Sequence, residues 1–118
     1  GLGDVYKRQN MSYIVIEWIA ADVEEARAVA KAIIASQLAA CINILPSIES
    51  YFSWEGKLTR ADEVCVFIKT REELWENIRD FICKKSSYSV PSLLSWRVLL
   101  GTDSYLSWID QTTQLSDI

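Results

Sequence analysis

Residues 40–68, ACINILPSIESYFSWEGKLTRADEVCVFI, hold two long β-rich segments separated by a candidate tight turn. In the first segment apolar residues recur at every second position on both sides of Pro46, a period that is typical of a strand. Because proline lacks the N–H of a regular ladder, Pro46 predicts a bulge or bend. Glu55-Gly56 can close the turn, and the strand pattern resumes at Val64. The stretch therefore predicts one long β-hairpin.

The sequence before the hairpin predicts a strand and a helix. Residues 13–20, YIVIEWIA, are apolar on both alternating faces, which indicates a strand covered on both sides. Asp22 and Glu25 then form a capping box, and apolar residues follow at helical spacing. We expect this helix to run from about residue 23 to 37.

The sequence after the hairpin predicts a second helix, a last strand and a terminal helix. Thr70 and Glu73 form another capping box ahead of a helix that stops near Ser86. Alternating residues 94–100 predict a strand, and Asp103 can cap the last helix. The order βαββαβ plus a C-terminal helix predicts an α+β, ferredoxin-like sandwich whose helices cover one sheet face.

The predicted sheet has more apolar residues than two short helices can cover. Phe52, Trp54, Phe67 and Trp96 are the largest of them. An antiparallel sheet that is apolar on both faces needs a partner, and a hairpin of this length offers free edges to one. We therefore expect a homo-oligomer.

Composition excludes several classes of function. The chain has 118 residues, enough for one domain, and its net charge of −4 disfavours a nucleic-acid partner. It contains no histidine, which excludes imidazole metal sites and histidine-activated nucleophiles. Without a nucleophile–base pair, we expect no enzyme activity.

Residues 1–10, GLGDVYKRQN, are polar and without period, so we expect a disordered or non-native leader before a single domain over residues 11–118. The three cysteines form no CxxC pair, which favours a reducing compartment. No apolar run approaches the about 20 residues of a membrane helix. We expect a cytoplasmic protein with no membrane or nucleic-acid partner.

Five strings resemble the CutA divalent-cation tolerance family in order and spacing. They are LAACIN at 38–43, SYFSWEGK at 50–57, IKT at 68–70, YSVP at 88–91 and YLSWI at 105–109. The resemblance implies a ferredoxin-like subunit in a homotrimer that forms through strand edges, similar to the PII signalling proteins. It also implies a role in the response to divalent metal ions such as copper.

The sequence departs from the family pattern around Pro91. The family usually has His-Pro before the tyrosine and Glu after the proline, whereas this chain has Ser86-Ser87 and Ser92. An imidazole and a carboxylate ligand are both missing, so metal binding at this loop is in doubt.

Several residues are candidates for binding or assembly. Cys41 is the candidate metal ligand because thiolates bind soft Cu(I), although an unpaired cysteine is more often a small buried apolar residue. Lys69, at a predicted strand end, could meet an anionic ligand, and family analogy adds Tyr51 and Tyr88 to this intersubunit cleft. Large aromatic residues anchor interfaces, so the trimer-interface candidates are Phe52 and Trp54.

Three functional hypotheses follow from these residues. The first is a CutA-like tolerance trimer, with copper or another divalent metal as its candidate ligand and no certain cofactor. The second is a PII-like sensor that binds a small anionic metabolite between subunits. The third is a scaffold that holds another protein.

Overall fold

In the part of the chain that the structure describes, four antiparallel strands form one sheet, in the spatial order β2-β3-β1-β4. The computed structural model describes residues 12–113, so the predicted leader at residues 1–10 lies outside the described residues. The α+β, ferredoxin-like prediction is confirmed. The elements are β1 (Tyr13–Ala20), α1 (Val23–Ala35), β2 (Cys41–Trp54), β3 (Lys57–Arg71), a 3-10 turn (Glu72–Leu74), α2 (Trp75–Lys85), β4 (Ser92–Arg97) and α3 (Asp103–Thr112).

The core lies between the sheet and helices α1 and α2. On β1 every second residue is buried against these helices, and Ile16 and Trp18 are fully buried. Val29 and Ile33 of α1 and Ile78 and Ile82 of α2 belong to the same cluster. The buried face of β1 is apolar throughout. A slip of one residue in the strand register would therefore expose all of its apolar side chains.

The two predicted capping boxes have different outcomes. At α1 the Glu25 N–H donates to Asp22 Oδ1 at 2.8 Å, and the Glu25 carboxylate accepts from the Ala21 N–H at 3.1 Å. The prediction at Thr70 was wrong. Thr70 is fully buried in register with Ile14, and its hydroxyl donates to the Leu38 carbonyl at 2.6 Å. The sheet register therefore directs this hydroxyl to the Leu38 carbonyl rather than to the start of α2. Helix α2 begins after a 3-10 turn.

The last strand is shorter than its alternating pattern predicted. β4 ends at Arg97, whereas the pattern continued to Leu100. Leu99 and Leu100 are both exposed outside the sheet. The register explains this difference. β4 pairs only with β1, and β1 begins at Tyr13, so residues 99 and 100 have no described strand residue opposite them.

The β2–β3 hairpin extends beyond the rest of the sheet. β1 pairs with β3 only as far as Val64, so residues 57–63 of β3 pair with β2 alone. We call residues 48–63 the ribbon. The register shifts between Leu45 and Ile48, which confirms the irregularity predicted at Pro46. A two-stranded ribbon is at best marginally stable alone in water, so this one needs further contacts.

The turn of the ribbon has the geometry that its residues predicted. Trp54 pairs with Lys57, which leaves Glu55 and Gly56 as a two-residue loop. Both have positive φ, 51° and 77°, as a type I′ hairpin turn requires.

The far face of the sheet is the face opposite α1 and α2, with Val15, Glu17 and Ile19 on β1. Helix α3 covers one end of it. The Tyr13 hydroxyl donates to Asp110 Oδ2 at 2.8 Å, and the buried Arg71 donates to the Thr113 carbonyl at 2.9 Å. The third helix therefore docks on the face that the first two helices leave free, through these polar contacts and the buried Ile109.

The remainder of the far face is apolar and exposed. Leu94 and Trp96 on β4 are 60% and 46% exposed, and the Trp96 ring meets Phe67 edge-on with centroids 6.4 Å apart. On the ribbon, Trp54 is 63% exposed and Phe52 40%. The predicted excess of apolar side chains is thus present on the surface of the single chain.

We predict that Gly56→Ala lowers the free energy of unfolding by about 1 kcal/mol, because alanine is strained at positive φ. No atom lies within 4 Å of the added Cβ, so backbone strain is the whole effect. Glu55→Asn should preserve or raise stability, since asparagine suits a type I′ turn. Urea unfolding of the three proteins measures this, and a Gly56→Ala variant as stable as the parent would contradict it.

Candidate functional site

Lys69 and Cys41 are neighbours on the far face. They form a cross-strand pair, Lys69 on β3 and Cys41 at the start of β2. The Lys69 ammonium lies 5.8 Å from the centroid of the Tyr105 ring of α3, a cation–π contact. The partly buried Cys41 thiol lies 3.9 Å from Asn43 Oδ1, its weak acceptor. Helix α3 is therefore the helix that contacts Lys69.

Tyr88 lies at the base of the ribbon. It belongs to the loop between α2 and β4, and its hydroxyl donates to Glu63 Oε2 at 2.7 Å. This hydrogen bond, together with partial burial, raises the pKa of Tyr88 to about 12. The Ser87 N–H donates to Glu25 Oε1 at 2.5 Å, which ties the same loop to the start of α1. Tyr88 thus fixes the loop to the ribbon beyond the end of β1.

Tyr51 lies further along the ribbon, on the face that carries Glu49, Arg60 and Asp62. It pairs with Arg60 and its hydroxyl donates to Glu49 Oε1 at 3.0 Å. The hydrogen bonds that Arg60 donates to Glu49, Tyr51 and Asp62, with Glu49 having the largest effect, raise the pKa of the exposed Arg60. Phe52 and Trp54 alternate onto the opposite ribbon face.

Within one chain the three predicted cleft residues do not converge. Tyr88 contacts Glu63, which lies six residues along β3 from Lys69, so about 20 Å of strand separates the two positions. Tyr51 is paired another three residues further out. A shared cleft would therefore need surfaces from more than one subunit.

Metal-ligating side chains are dispersed. Within residues 12–113, no three Cys, Asp or Glu side chains come together as a metal site. Cys41, Cys65 and Cys83 are unpaired, and they lie on β2, β3 and α2. Cys41 therefore has no second soft ligand from its own chain in the described part.

The structure also shows a recess that the sequence did not predict. It has a volume of about 310 Å³ and lies beside β4, between Ile14, Trp75 and Ser95. At its mouth Arg97 donates to Glu72 at 2.7 and 3.1 Å. This hydrogen bonding lowers the pKa of the Glu72 carboxyl and raises that of Arg97. The two residues are 25 apart in sequence, and the pairing of β1 with both β3 and β4 brings them together.

Comparison with known proteins decides the family. The family model for the CutA1 divalent ion tolerance protein matches residues 14–112, nearly the whole described chain. The chain belongs to the CutA1 divalent ion tolerance family. Its divalent-cation tolerance relative from Archaeoglobus fulgidus is 39% identical over 95 residues, which cover 80% of this chain and 92% of the relative.

Two further comparisons describe the extent of the likeness. Human Protein CutA is 35% identical over 89 residues, which cover 75% of this chain but only 50% of the human protein. The crystal structure of CutA1 from Oryza sativa superposes with a TM-score of 0.86 at 34% identity, covering 89% of this chain and 96% of the rice chain. The CutA subunit fold thus accounts for the described residues.

We predict that Tyr88→Phe lowers the free energy of unfolding by about 1.5 kcal/mol near neutral pH, because Glu63 loses its donor. The Tyr88 pKa is raised in the folded state, so its stabilisation is complete below about pH 10, the value of a free phenol, and declines as pH rises towards 12. The difference between the two proteins should therefore shrink above pH 10.

Denaturant unfolding from pH 7 to 12 measures both effects. Tyr51→Phe is the control, because its hydroxyl lies on the exposed ribbon, and it should change stability by less than about 0.5 kcal/mol. A difference between parent and Tyr88→Phe that stays constant across this range would contradict the assignment.

Proposed function

We propose that this protein is a homotrimeric, non-enzymatic CutA protein that serves tolerance of divalent metal ions. The observation that supports this most directly is the ribbon with its uncovered apolar face, in a chain of the CutA1 family. Such a surface requires association with other copies. The name of the relative from Archaeoglobus fulgidus supplies the biological role, divalent-cation tolerance.

Strand edges provide the means of association. In the described residues β2 and β4 are the two outer strands of the sheet. When the β4 edge of one copy meets the β2 edge of the next, the contact is head-to-tail, and such contacts close into a ring when the rotation permits. Trp54 and Phe52 then serve as apolar anchors on a neighbouring subunit.

Cys41 is the proposed metal-binding residue. A thiolate prefers Cu(I) or other soft ions, and Cys41 is partly exposed on the far face. One chain supplies one sulfur there, so a site of useful affinity needs ligands from other copies.

A PII-like anion sensor is the second candidate. It is supported by Lys69, whose ammonium contacts an aromatic ring rather than a carboxylate and so keeps its charge available. Tyr51 and Tyr88 would join Lys69 only through a second subunit. Calorimetry with a nucleotide panel separates this candidate from metal binding, and a consistent pull-down partner without either ligand favours the scaffold.

We propose a cytoplasmic location, and the state of the cysteines supports it. All three are unpaired, which is usual in a reducing cytoplasm. Within residues 12–113, no helix is long and apolar enough to span a membrane. A structural relative from Archaeoglobus fulgidus is called periplasmic and the Arabidopsis relative chloroplastic, so fractionation of cells must test the cytoplasmic location.

We predict a particle of about 40 kDa, three copies of a 13.5 kDa chain, by size-exclusion chromatography with light scattering. Trp54→Ala should weaken assembly at least tenfold, as expected for an interface anchor. Leu58→Ala is the control, since Leu58 is 83% exposed and lies on the other ribbon face. A folded parent protein that is monomeric at micromolar concentration would refute the trimer.

We predict that the protein binds Cu(I) and that Cys41→Ser abolishes its high-affinity Cu(I) binding. Titration against a competing chelator under reducing conditions measures the affinity. Cys83→Ser is the control because Cys83 is an exposed helix residue away from the far face. Equal binding by the parent and Cys41→Ser would exclude Cys41 as the ligand.

A further inference from the structure

The recess beside β4 has an apolar interior and a charged mouth. Its volume is about 310 Å³, and its lining residues are Ile14, Glu72, Trp75, Ser95, Trp96 and Arg97. Small-molecule sites have volumes from about 300 to 1,000 Å³, so a recess at the lower end of this range suits a ligand smaller than a nucleotide. The lining includes neither the predicted metal ligand nor any residue of the predicted cleft.

The strand register places the recess on the helix side of the sheet. Arg97 pairs with Ile14, and Ser95 pairs with Ile16. Residues directly opposite each other on antiparallel strands have their side chains on the same face, and Ile14 and Ile16 are buried against the helices. Trp75, the partly buried first residue of α2, forms the other apolar wall. An apolar group can therefore lie between Ile14 and Trp75.

The mouth of the recess holds two opposite charges side by side. Arg97 Nε donates to Glu72 Oε1 at 2.7 Å, and Arg97 Nη2 donates to Glu72 Oε2 at 3.1 Å. These bonds use two of the five N–H groups of the guanidinium and one lone pair on each carboxylate oxygen. The Arg97 and Glu72 side chains are 72% and 41% exposed, so a ligand can reach both. The pair can thus bind an anionic and a cationic group at the same time.

From this arrangement we infer that the recess binds a free α-amino acid with an apolar side chain. The ligand carboxylate accepts hydrogen bonds from Arg97, the ligand ammonium donates to Glu72, and the apolar side chain lies between Ile14 and Trp75. A free amino acid carries both charges on one carbon atom. A simple anion, a simple cation or the end of a protein chain carries only one of them. The inference goes beyond the proposed function and needs no metal ion.

The recess is separate from the surfaces proposed for association. That association uses the backbone edge of β4 and the far face, whereas the Ser95 and Arg97 side chains lie on the helix side. The full chain in its native assembly is therefore the protein to test.

The first test compares four small molecules by calorimetry. L-phenylalanine should bind with a Kd of about 1 mM or tighter, as expected for a ligand of this size. Glycine lacks the apolar side chain, 3-phenylpropionate lacks the ammonium and 2-phenylethylamine lacks the carboxylate. Each of these three should bind at least about tenfold more weakly, because one of the three contacts is lost. Equal affinity for L-phenylalanine and 3-phenylpropionate would overturn the inference.

The second test uses variants of the charged pair. Arg97→Gln should weaken the binding of L-phenylalanine at least about tenfold. Glu72→Gln should also weaken it, but it should leave the binding of 3-phenylpropionate unchanged or tighter, since that ligand carries no ammonium. Arg27→Gln is the control, because it makes the same change of charge at an exposed position of α1 and should keep the parent's affinity.

The indole N–H signal of Trp75 in NMR spectra locates the ligand. This signal, assigned with Trp75→Phe, should shift as L-phenylalanine is added, and circular dichroism confirms that each variant is folded. No saturable binding by the parent, or equal affinity in the parent and Arg97→Gln, would overturn the inference. Either result leaves the proposed trimer intact, since light scattering tests the trimer separately.

Discussion

The structure depends on the unequal lengths of its strands. β1 ends at Ala20, while β2 and β3 continue as a ribbon that no other strand of the described chain supports. The core beneath α1 and α2 is complete without the ribbon, since Ile16, Trp18 and Ile78 are already fully buried there. What the ribbon adds is apolar surface outside that core, and the proposed association with other copies would cover it.

The sequence predicted those features that depend on local spacing. The turn at Glu55-Gly56, the irregularity at Pro46 and the cap at Asp22 each follow from residues close together in the chain, and the structure confirms all three. Thr70 fitted the capping pattern equally well. The capping prediction failed because the position of Thr70 in the sheet buries its hydroxyl beside the Leu38 carbonyl. The two residues are 32 apart in sequence, so no local pattern contains this contact.

The candidate site was less predictable for the same reason. The Cys41–Lys69 pair, the Tyr88–Glu63 hydrogen bond and the Arg97–Glu72 ion pair all join separate elements. Their geometry depends on strand register and on which face α3 covers, and the βαββαβ order alone leaves both open. Family resemblance drew attention to Tyr88 but not to its partner, because the resemblance lay in strings rather than in contacts.

In the loop before β4 the family fold is kept, although the residues that differ from the family pattern make hydrogen bonds of their own. Ser86 and Ser87 stand where the family pattern has His-Pro. The Ser87 N–H and hydroxyl both bond to Glu25, and the Ser86 hydroxyl accepts from the Tyr88 N–H at 3.2 Å. These contacts hold Tyr88 against Glu63. The loop's polar atoms are therefore used to fix the base of the ribbon to α1, and their hydrogen bonds lie within the chain.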